Sequence, residues 1–377
     1  MMYGAKRRSL VCLAGLPVDV VTMEQALAAV REAVATRQRM FLSTPNLNFM
    51  IAAQQDPAFR ESILLSDLSV ADGSSLVLLA KLMGSRLPER VTGSDLFDQL
   101  ARSDAHPPIK VFLFGGPPGA GAKACERLNQ QFPGVKCVGH DEAGYGDVAS
   151  LSSQALIDRI NASGADFVLV ALGAKKGQAW ILHNQNRLQA PVISHLGAVI
   201  NFMAGTVSRA PNWLQRFGLE WIWRIVQEPV LWRRYRDDGL AFLSLLARNL
   251  LGGASLQKLL PAPDPDRFPG KAELSAGSGG GKVLTLSGCW HQGNARELLH
   301  TLLDLNTDAQ VDMSEVKQLD SYAMGSLVAA HGYLLRAGGC GLVISKANAP
   351  TMRQIRSMGM SYLLSESEPS GLVNLEA

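Results

Sequence analysis

Three stretches of the chain repeat one pattern: an unbroken apolar run, a glycine turn, then a segment with apolar residues at helical spacing. They are Val111-Phe112-Leu113-Phe114-Gly115-Gly116 before 120–132, Phe167-Val168-Leu169-Val170-Ala171-Leu172-Gly173 before 178–188, and Pro191-Val192-Ile193-Ser194-His195-Leu196-Gly197 before 198–203. Runs without polar alternation suit strands buried on both faces, and helices between them suit parallel crossovers. Met40-Phe41-Leu42-Ser43-Thr44 predicts a further strand opening into a helix over 47–55, and 10–21 predicts a first strand. The fold class expected is α/β: a Rossmann-like α/β/α sandwich with its loops gathered at the carboxyl ends of the strands.

After Thr206 the pattern changes. Residues 211–251 are helical in spacing and crowded with tryptophan and arginine. Pro261-Ala262-Pro263-Asp264-Pro265-Asp266 and then Gly277-Ser278-Gly279-Gly280-Gly281 have linker composition. A second rhythm starts at Lys282: strand 283–287, helix 293–303, strand 309–312, helix 323–337, strand 341–344, helix 350–358. The division expected is a first domain over 1–251 with a helical Trp/Arg-rich appendage at 206–251, a linker over 252–281, and a small α/β domain over 282–377.

Composition narrows the class of function. At 377 residues, 47% hydrophobic and 18% charged, the chain has material for two folded cores and is too apolar for disorder. A net charge of +3 argues against a general nucleic-acid binder, which needs a concentrated basic face. Cys12, Cys125, Cys137, Cys289 and Cys340 are odd in number and scattered without CxxC spacing. That predicts neither a disulfide framework nor a zinc site, and suits a reducing compartment. The basic start through Lys6-Arg7-Arg8 resembles a signal-peptide n-region, but the apolar run after it breaks at Pro17 and Asp19 without a small-residue cleavage pattern. With no apolar run of roughly 18 residues, the expectation is a soluble or peripheral protein.

Candidate chemistry lies at the strand ends. Thr44-Pro45-Asn46 ends one strand, Ala71-Asp72-Gly73 follows Ser69-Val70, and Arg90-Val91-Thr92-Gly93-Ser94-Asp95 comes next. An aspartate at a strand end can serve as a general base, and an arginine nearby can hold a phosphate in a planar fork. Taken singly, Asp72 also reads as an Asp-Gly turn and Arg90 as a solvated cation. The loop Gly115-Gly116-Pro117-Pro118-Gly119-Ala120-Gly121 would let backbone N–H groups approach a diphosphate, and reads equally as a tight turn. It is neither GxGxxG nor a Walker A loop, which weighs against a dinucleotide-dependent oxidoreductase. His140-Asp141-Glu142 invites a metal, but adjacent loop positions rarely converge on one ion, and a solvated turn is favoured.

Read in order, the pieces carry more. Thr44-Pro45-Asn46, Ala71-Asp72-Gly73, Glu89-Arg90-Val91-Thr92-Gly93 and the Gly115–Gly119 turn are followed by Leu172-Gly173-Ala174-Lys175-Lys176-Gly177-Gln178-Ala179-Trp180-Ile181. Then come Asn201-Phe202-Met203-Ala204-Gly205-Thr206-Val207-Ser208-Arg209-Ala210-Pro211, Gly218-Leu219-Glu220-Trp221 and Glu228-Pro229. The series closely resembles the WecG/TagA/CpsF glycosyltransferase family over roughly residues 10–251. The resemblance implies an inverting hexosyltransferase moving a sugar, N-acetylmannosamine or a relative, from a UDP donor to an undecaprenyl-diphosphate-linked acceptor in exopolysaccharide or surface-glycan synthesis. It implies Asp72 as general base with Thr44 and Asn46 beside it, Arg90 on the leaving diphosphate, and Gln178 in the donor site. Gly116 belongs to the implied substrate loop. No cofactor is implied and no metal site is expected, because no DxD motif stands near the pocket residues. The chain departs at Lys175-Lys176-Gly177-Gln178-Ala179, where proline and Gln-Glu usually occur, which bears on the donor sugar.

The appendage carries seven arginines against four acidic residues, an excess equal to the chain's net charge, with Trp213, Trp221, Trp223 and Trp232 interleaved. Tryptophan favours the headgroup boundary and arginine anionic lipid or diphosphate; the other reading is a helical lid with its aromatics in the core. Arg224, Arg233 and Arg234 match basic positions of the family's appendage, implying contact with a substrate diphosphate at an anionic membrane surface. The location implied is cytoplasmic, peripheral at the inner face of the plasma membrane. A homo-oligomer is compatible with the resemblance.

In the second domain, Val311-Asp312-Met313-Ser314-Glu315-Val316 and Leu319-Asp320-Ser321-Tyr322-Ala323-Met324-Gly325-Ser326-Leu327 are similar to the STAS signature of anti-sigma-factor antagonists. Ser321 matches their phosphorylatable serine, and the domain is expected to dock a protein partner; the plainer reading makes Ser321 a helix N-cap. Tyr322 and Ala323 stand where a hydroxyl residue and glycine are usual. The rival to an enzyme is a nucleotide-sugar sensor signalling through this domain. Thr44, Asp72, Arg90 and Gln178 weigh against it, since a sensor needs no base.

Overall fold

The computed structural model describes residues 5–104, 106–207, 210–211, 214, 220–227, 231–251, 263–276, 282–305 and 309–365. The segment expected as one strand over 10–21 folds instead as a hairpin, β1 (Leu10–Leu13) and β2 (Leu16–Asp19), paired antiparallel. Ala14 and Gly15 both take positive φ, 48° and 78°, the conformation a tight two-residue turn between right-twisted strands requires.

The first domain continues with α1 (Met23–Thr36), β3 (Met40–Ser43), α2 (Leu47–Gln55), α3 (Pro57–Leu64), β4 (Leu68–Ser69), α4 (Ser74–Leu82) and α5 (Gly93–Arg102). Next come β5 (Ile109–Gly115), α6 (Ala120–Gln131), β6 (Val135–Asp141), α7 (Gln154–Ala162), β7 (Phe167–Ala171), α8 (Ala174–Asn184), β8 (Val192–His195) and α9 (Val199–Ala204). Six strands form one sheet in the order β4-β3-β8-β7-β5-β6, every pairing parallel. Val111, Leu113, Phe167 and Leu169 enter one core, while Phe112, Phe114, Val168 and Val170 enter the core on the opposite face. That is the period-2 signature of strands covered on both sides.

The appendage contains α10 (Glu220–Gln227) and α11 (Leu231–Leu251). One side of α11 packs into the core through Leu245, with Phe242 and Leu246 beside it, and Asn48 of α2 donates to Asp238 Oδ1 at 3.3 Å. Among the described residues no helix is long and apolar enough to cross a membrane.

The second domain is a four-stranded sheet in the order β12-β11-β10-β9, built from β9 (Lys271–Ala276), β10 (Lys282–Trp290), β11 (Ala309–Leu319) and β12 (Leu342–Ala347). Helices α12 (Ala295–Asp304), α13 (Ser321–Arg336) and α14 (Ala349–Ser357) connect and cover it. Strand β9 lies inside the stretch expected as linker, pairing antiparallel with β10 from Lys282↔Ala276 to Ser287↔Lys271. The glycine-rich run 277–281 therefore joins two neighbouring strands of one sheet instead of separating domains.

Two further expectations change. Cys125 and Cys137 are joined as a disulfide, Cα–Cα 5.1 Å, although their spacing carries no recognisable signature. α6 lies against β6, and the fold brings the two positions together. His140-Asp141-Glu142 is not a free turn: Asp141 closes β6 and pairs with Arg159 at 2.5 Å, and Glu142 accepts from Gly119 N.

Candidate functional site

All six parallel strands end on one side of the sheet, and Thr44 and Asp72 follow the ends of β3 and β4 there. Thr44 follows β3 and is buried. Asp72 follows β4, its amide bound to Pro45 O at 2.9 Å, so the exits of β3 and β4 are stitched together. Val91 N in turn donates to Ala71 O at 3.0 Å, which brings the Arg90 segment alongside Asp72. Gly93 N approaches Asp72 Oδ2 at 3.4 Å. A Cβ on Gly93 would lie 3.0 Å from Thr44 Cγ2 and would overlap Leu196 Cδ2, so only glycine lets the start of α5 close over this point. Thr44, Asp72 and the loop 90–93 thus share one corner, with the chain past β8 as its wall.

Local chemistry explains the corner's shape. Thr92 caps α5, accepting from Asp95 N at 2.9 Å and donating to Asp95 Oδ2 at 2.7 Å. Arg90 Nη2 lies 3.6 Å from Asp95 Oδ2, with both side chains about one-quarter exposed. The guanidinium is therefore held by a carboxylate in the capping turn and is partly exposed. Asn46 caps α2 by accepting from Phe49 N at 3.1 Å, which gives its side chain a fold-building task at the pocket's edge.

Gln178 sits deeper than its expected donor-site role implies. It is 1% exposed and donates from Nε2 to Ser43 Oγ at 3.1 Å, tying α8 to the last residue of β3. It fixes the position from which Thr44 projects. Gly116 directly follows β5 with φ 86°, and its amide donates to Ala171 O at 3.0 Å. At the neighbouring helix start Glu142 Oε1 accepts from Gly119 N at 2.5 Å, so a carboxylate of the chain itself occupies this amide. Arg233 is exposed on α11, away from the packed side. The side chains of Arg224 and Arg234 lie outside the described residues, as do Arg209, Arg216 and Trp213.

His195, the last residue of β8, was not singled out in the sequence. It is 8% exposed, its Nε2 has no hydrogen-bond partner among the described residues, and burial lowers its pKa to about 4, leaving a neutral imidazole. Gly177 and Gly197 make room for the ring: a Cβ on Gly197 would meet Nε2 at 3.3 Å, and one on Gly177 would overlap Cδ2. The available signal was a lone titratable residue closing an apolar strand. Among the described residues no group of three His, Cys, Asp or Glu is placed to hold a metal ion.

Ser321 is the first residue of α13, not its cap. Asp320 is the cap, accepting from Tyr322 N and Ala323 N at 2.9 Å each. Ser321 is 8% exposed, and its Oγ lies 2.5 Å from Ser85 Oγ in the first domain.

Known proteins share both halves of the chain. The profile of the glycosyl transferase WecG/TagA/CpsF family matches residues 11–255, and that of the Mlab, STAS domain matches residues 275–365. A protein of Bacillus spizizenii named N-acetylglucosaminyldiphosphoundecaprenol N-acetyl-beta-D-mannosaminyltransferase is 32% identical over 194 residues, covering 52% of this chain and 74% of its own. Proteins of the same name from Bacillus subtilis and Staphylococcus aureus strain MRSA252 are 29% identical over 194 residues and 27% over 222. They cover 51% and 58% of this chain, and 73% and 84% of their own.

Proposed function

The chain belongs to the WecG/TagA/CpsF glycosyl transferase family, and from that premise we propose that it is an inverting enzyme moving N-acetylmannosamine or a related sugar from a UDP donor to a sugar on undecaprenyl diphosphate. The observation that carries the reading is the shared corner of Thr44, Asp72 and the Arg90 loop at the mouth of the parallel sheet. The acceptor hydroxyl attacks the anomeric carbon while Asp72 takes its proton. The bond from that carbon to the phosphate oxygen breaks, and UDP leaves with the electron pair. Arg90, oriented by Asp95, stabilises the charge growing on the leaving diphosphate. Thr44 and Asn46 orient the sugars, Gln178 sets the position of Thr44 through Ser43, and the turn at Gly116 borders the donor.

The lipid-linked acceptor fits the appendage. Trp232 and Arg236 are exposed on α11, the guanidinium 5.1 Å from the ring centroid, and Leu240 and Leu243 are 61% exposed along the same side. These residues would seat the protein on the anionic inner face of the plasma membrane, where Arg233, with Arg224 and Arg234, meets diphosphate or lipid phosphate.

The test is transfer from UDP-N-acetylmannosamine to undecaprenyl-diphosphate N-acetylglucosamine, with the product identified by mass. Asp72→Asn should lower kcat by about 10²–10⁴-fold, the range of general-base catalysis, with UDP binding retained. Undiminished turnover removes Asp72 as the base.

A further inference from the structure

The second domain touches the first through the helix that carries Ser321. Thirteen of the sixteen residues of α13 are buried, so this helix has almost no solvent face. Residues 321, 322, 325, 328, 329, 332 and 336 follow the 3–4 spacing of one helical stripe. On that stripe, a Cβ at Gly325 would lie 2.8 Å from the Leu10 carbonyl carbon, and one at Gly332 would overlap the carbonyl of Leu64. The two glycines bring the helix backbone directly against β1 and the end of α3. Leu10, Cys12 and Leu64 of the first domain share one buried core with Leu284, Val311, Leu327 and Val328 of the second.

At each end of the stripe a polar side chain reaches a segment that leads to the transfer site. Arg336 Nη1 pairs with Asp67 Oδ1 at 2.6 Å, and its Nη2 donates to Leu65 O. Asp67 Oδ2 accepts from Phe41 N of β3 at 2.7 Å. Asp67 directly precedes β4, a two-residue edge strand, and Asp72 follows three residues after it. The far side of β4 is held by Asp19, which accepts from Ser69 N at 2.7 Å and pairs with Arg8 at 2.7 Å. At the other end, Tyr322 Oη accepts from Arg86 N at 3.1 Å and donates to Arg86 O at 3.4 Å, four residues before Arg90. The loop between α4 and α5 carries both Arg86 and Arg90.

We propose that α13 is a built-in brace of the transfer site, in which Arg336 and Tyr322 are positioning residues that fix the segments bearing Asp72 and Arg90 from across the domain boundary. β4 is only two residues long, and backbone bonds from Val70 N to Ser43 O and from Asp72 N to Pro45 O hold its exit. To these the ion pair at Asp67 adds a side-chain constraint at the entry of β4, and the double hydrogen bond at Arg86 adds one to the arginine loop. The face of this domain that carries Ser321 is thereby occupied by the first domain. A phosphate on Ser321 would have to displace Ser85 and open the contact.

The proposal rests on the roles given above to Asp72 and Arg90, and its test separates the two readings. In the full chain, Arg336→Met should lower kcat about tenfold and Tyr322→Phe about threefold, with KM for donor and acceptor within twofold. Arg336→Lys, which keeps a cation for Asp67, should recover most of the loss. Tyr322→Phe removes only a hydroxyl and keeps the ring, so it tests the brace even if Arg336→Met does not fold. Amide hydrogen exchange is read in parallel: segments 68–73 and 86–93 should exchange at least tenfold faster in the variants, while β10 and β11 stay unchanged. Unaltered exchange in those segments, or unaltered kcat in folded Arg336→Met and Tyr322→Phe, overturns the brace. Wild-type protein without transfer activity sinks the catalytic reading instead, and the exchange data then decide the brace alone.

Discussion

Helices α13 and α11 make an instructive pair: both are apolar in half their length or more, and they meet opposite surroundings. The boundary-facing stripe of α13 carries Gly325, Ala329 and Gly332 at its close contacts, so the backbone itself reaches β1 and α3. Its polar residues are short or placed at the ends, where Ser85, Arg86 and Asp67 receive them. The outer stripe of α11 carries Trp232, Arg236, Leu240 and Leu243, large side chains mixed with a cation. Such a stripe cannot approach another backbone closely, and a guanidinium in a dry protein contact needs a carboxylate partner. Apolar content alone therefore does not separate a helix meant for its own chain from one suited to a lipid boundary. Side-chain size at the i, i+4, i+7 positions and the placement of charge do.

The largest effect should come from wedging the first of these helices. Gly332→Leu forces a side chain into the Leu64 carbonyl and should destabilise the chain by about 3 kcal/mol or more, beyond ordinary overpacking because backbone must move. Leu243→Gln on α11 should stay within about 0.5 kcal/mol, as surface changes do. Thermal unfolding of both variants checks the contrast, and equal losses would mean that α11 is also packed in solution.

Interior and surface should also answer to different solution conditions. His195 keeps its proton off because burial lowers its pKa from 6.5 to about 4. A depressed folded-state pKa contributes stability that is fully present above the unfolded value and is lost as pH falls through the folded one. Between pH 6.5 and 4 the cost of protonation should reach about 3 kcal/mol, and His195→Phe should flatten that part of the curve. Denaturant titrations at pH 7, 5.5 and 4.5 read it directly; parallel pH profiles for wild type and variant would remove His195 as the cause.

Much of this organisation was legible beforehand, for identifiable reasons. The runs at 111–115, 167–171 and 192–195 are apolar on both faces and short, and with helical segments between them they suit the strands of a covered parallel sheet. The helix at 47–55 was read directly, whereas its cap was not: Asn46, taken only as a pocket residue, caps it. The Thr44, Asp72 and Arg90 corner was legible only through the order of short motifs, because the contacts joining them run between backbone atoms 20 or more residues apart. β6 was missed because Lys136, Gly139 and His140 interrupt its apolar residues, and β9 because Lys271, Glu273 and Ser275 look like linker on an exposed edge. The domain boundary left almost no trace: small residues on a helix read as ordinary core, and the partners of Tyr322 and Arg336 lie 236 and 269 positions away.

On the lipid side, the apolar and cationic parts of the α11 stripe separate by size of effect. Leu243→Asp removes about one exposed leucine's worth of burial and should weaken binding to vesicles containing one-third anionic lipid by at least tenfold, about 1.4 kcal/mol. Flotation at fixed salt measures it, and unchanged partition would place the bound face elsewhere on the molecule.

Arg233→Gln should have the smallest effect, about 1 kcal/mol or roughly fivefold, because one cation near a charged surface contributes that much. Its signature is the salt dependence and not the size. The loss should be clear at 50 mM salt and nearly vanish at 0.5 M, where the screening length falls below the distance from a helix surface to the lipid phosphates. The Leu243→Asp defect persists at both, since burial of apolar surface is not screened. A defect in Arg233→Gln that is equal at the two salt concentrations would mean that Arg233 makes a specific desolvated contact, which moves it from the membrane surface to the substrate diphosphate and makes α11 part of the transfer site.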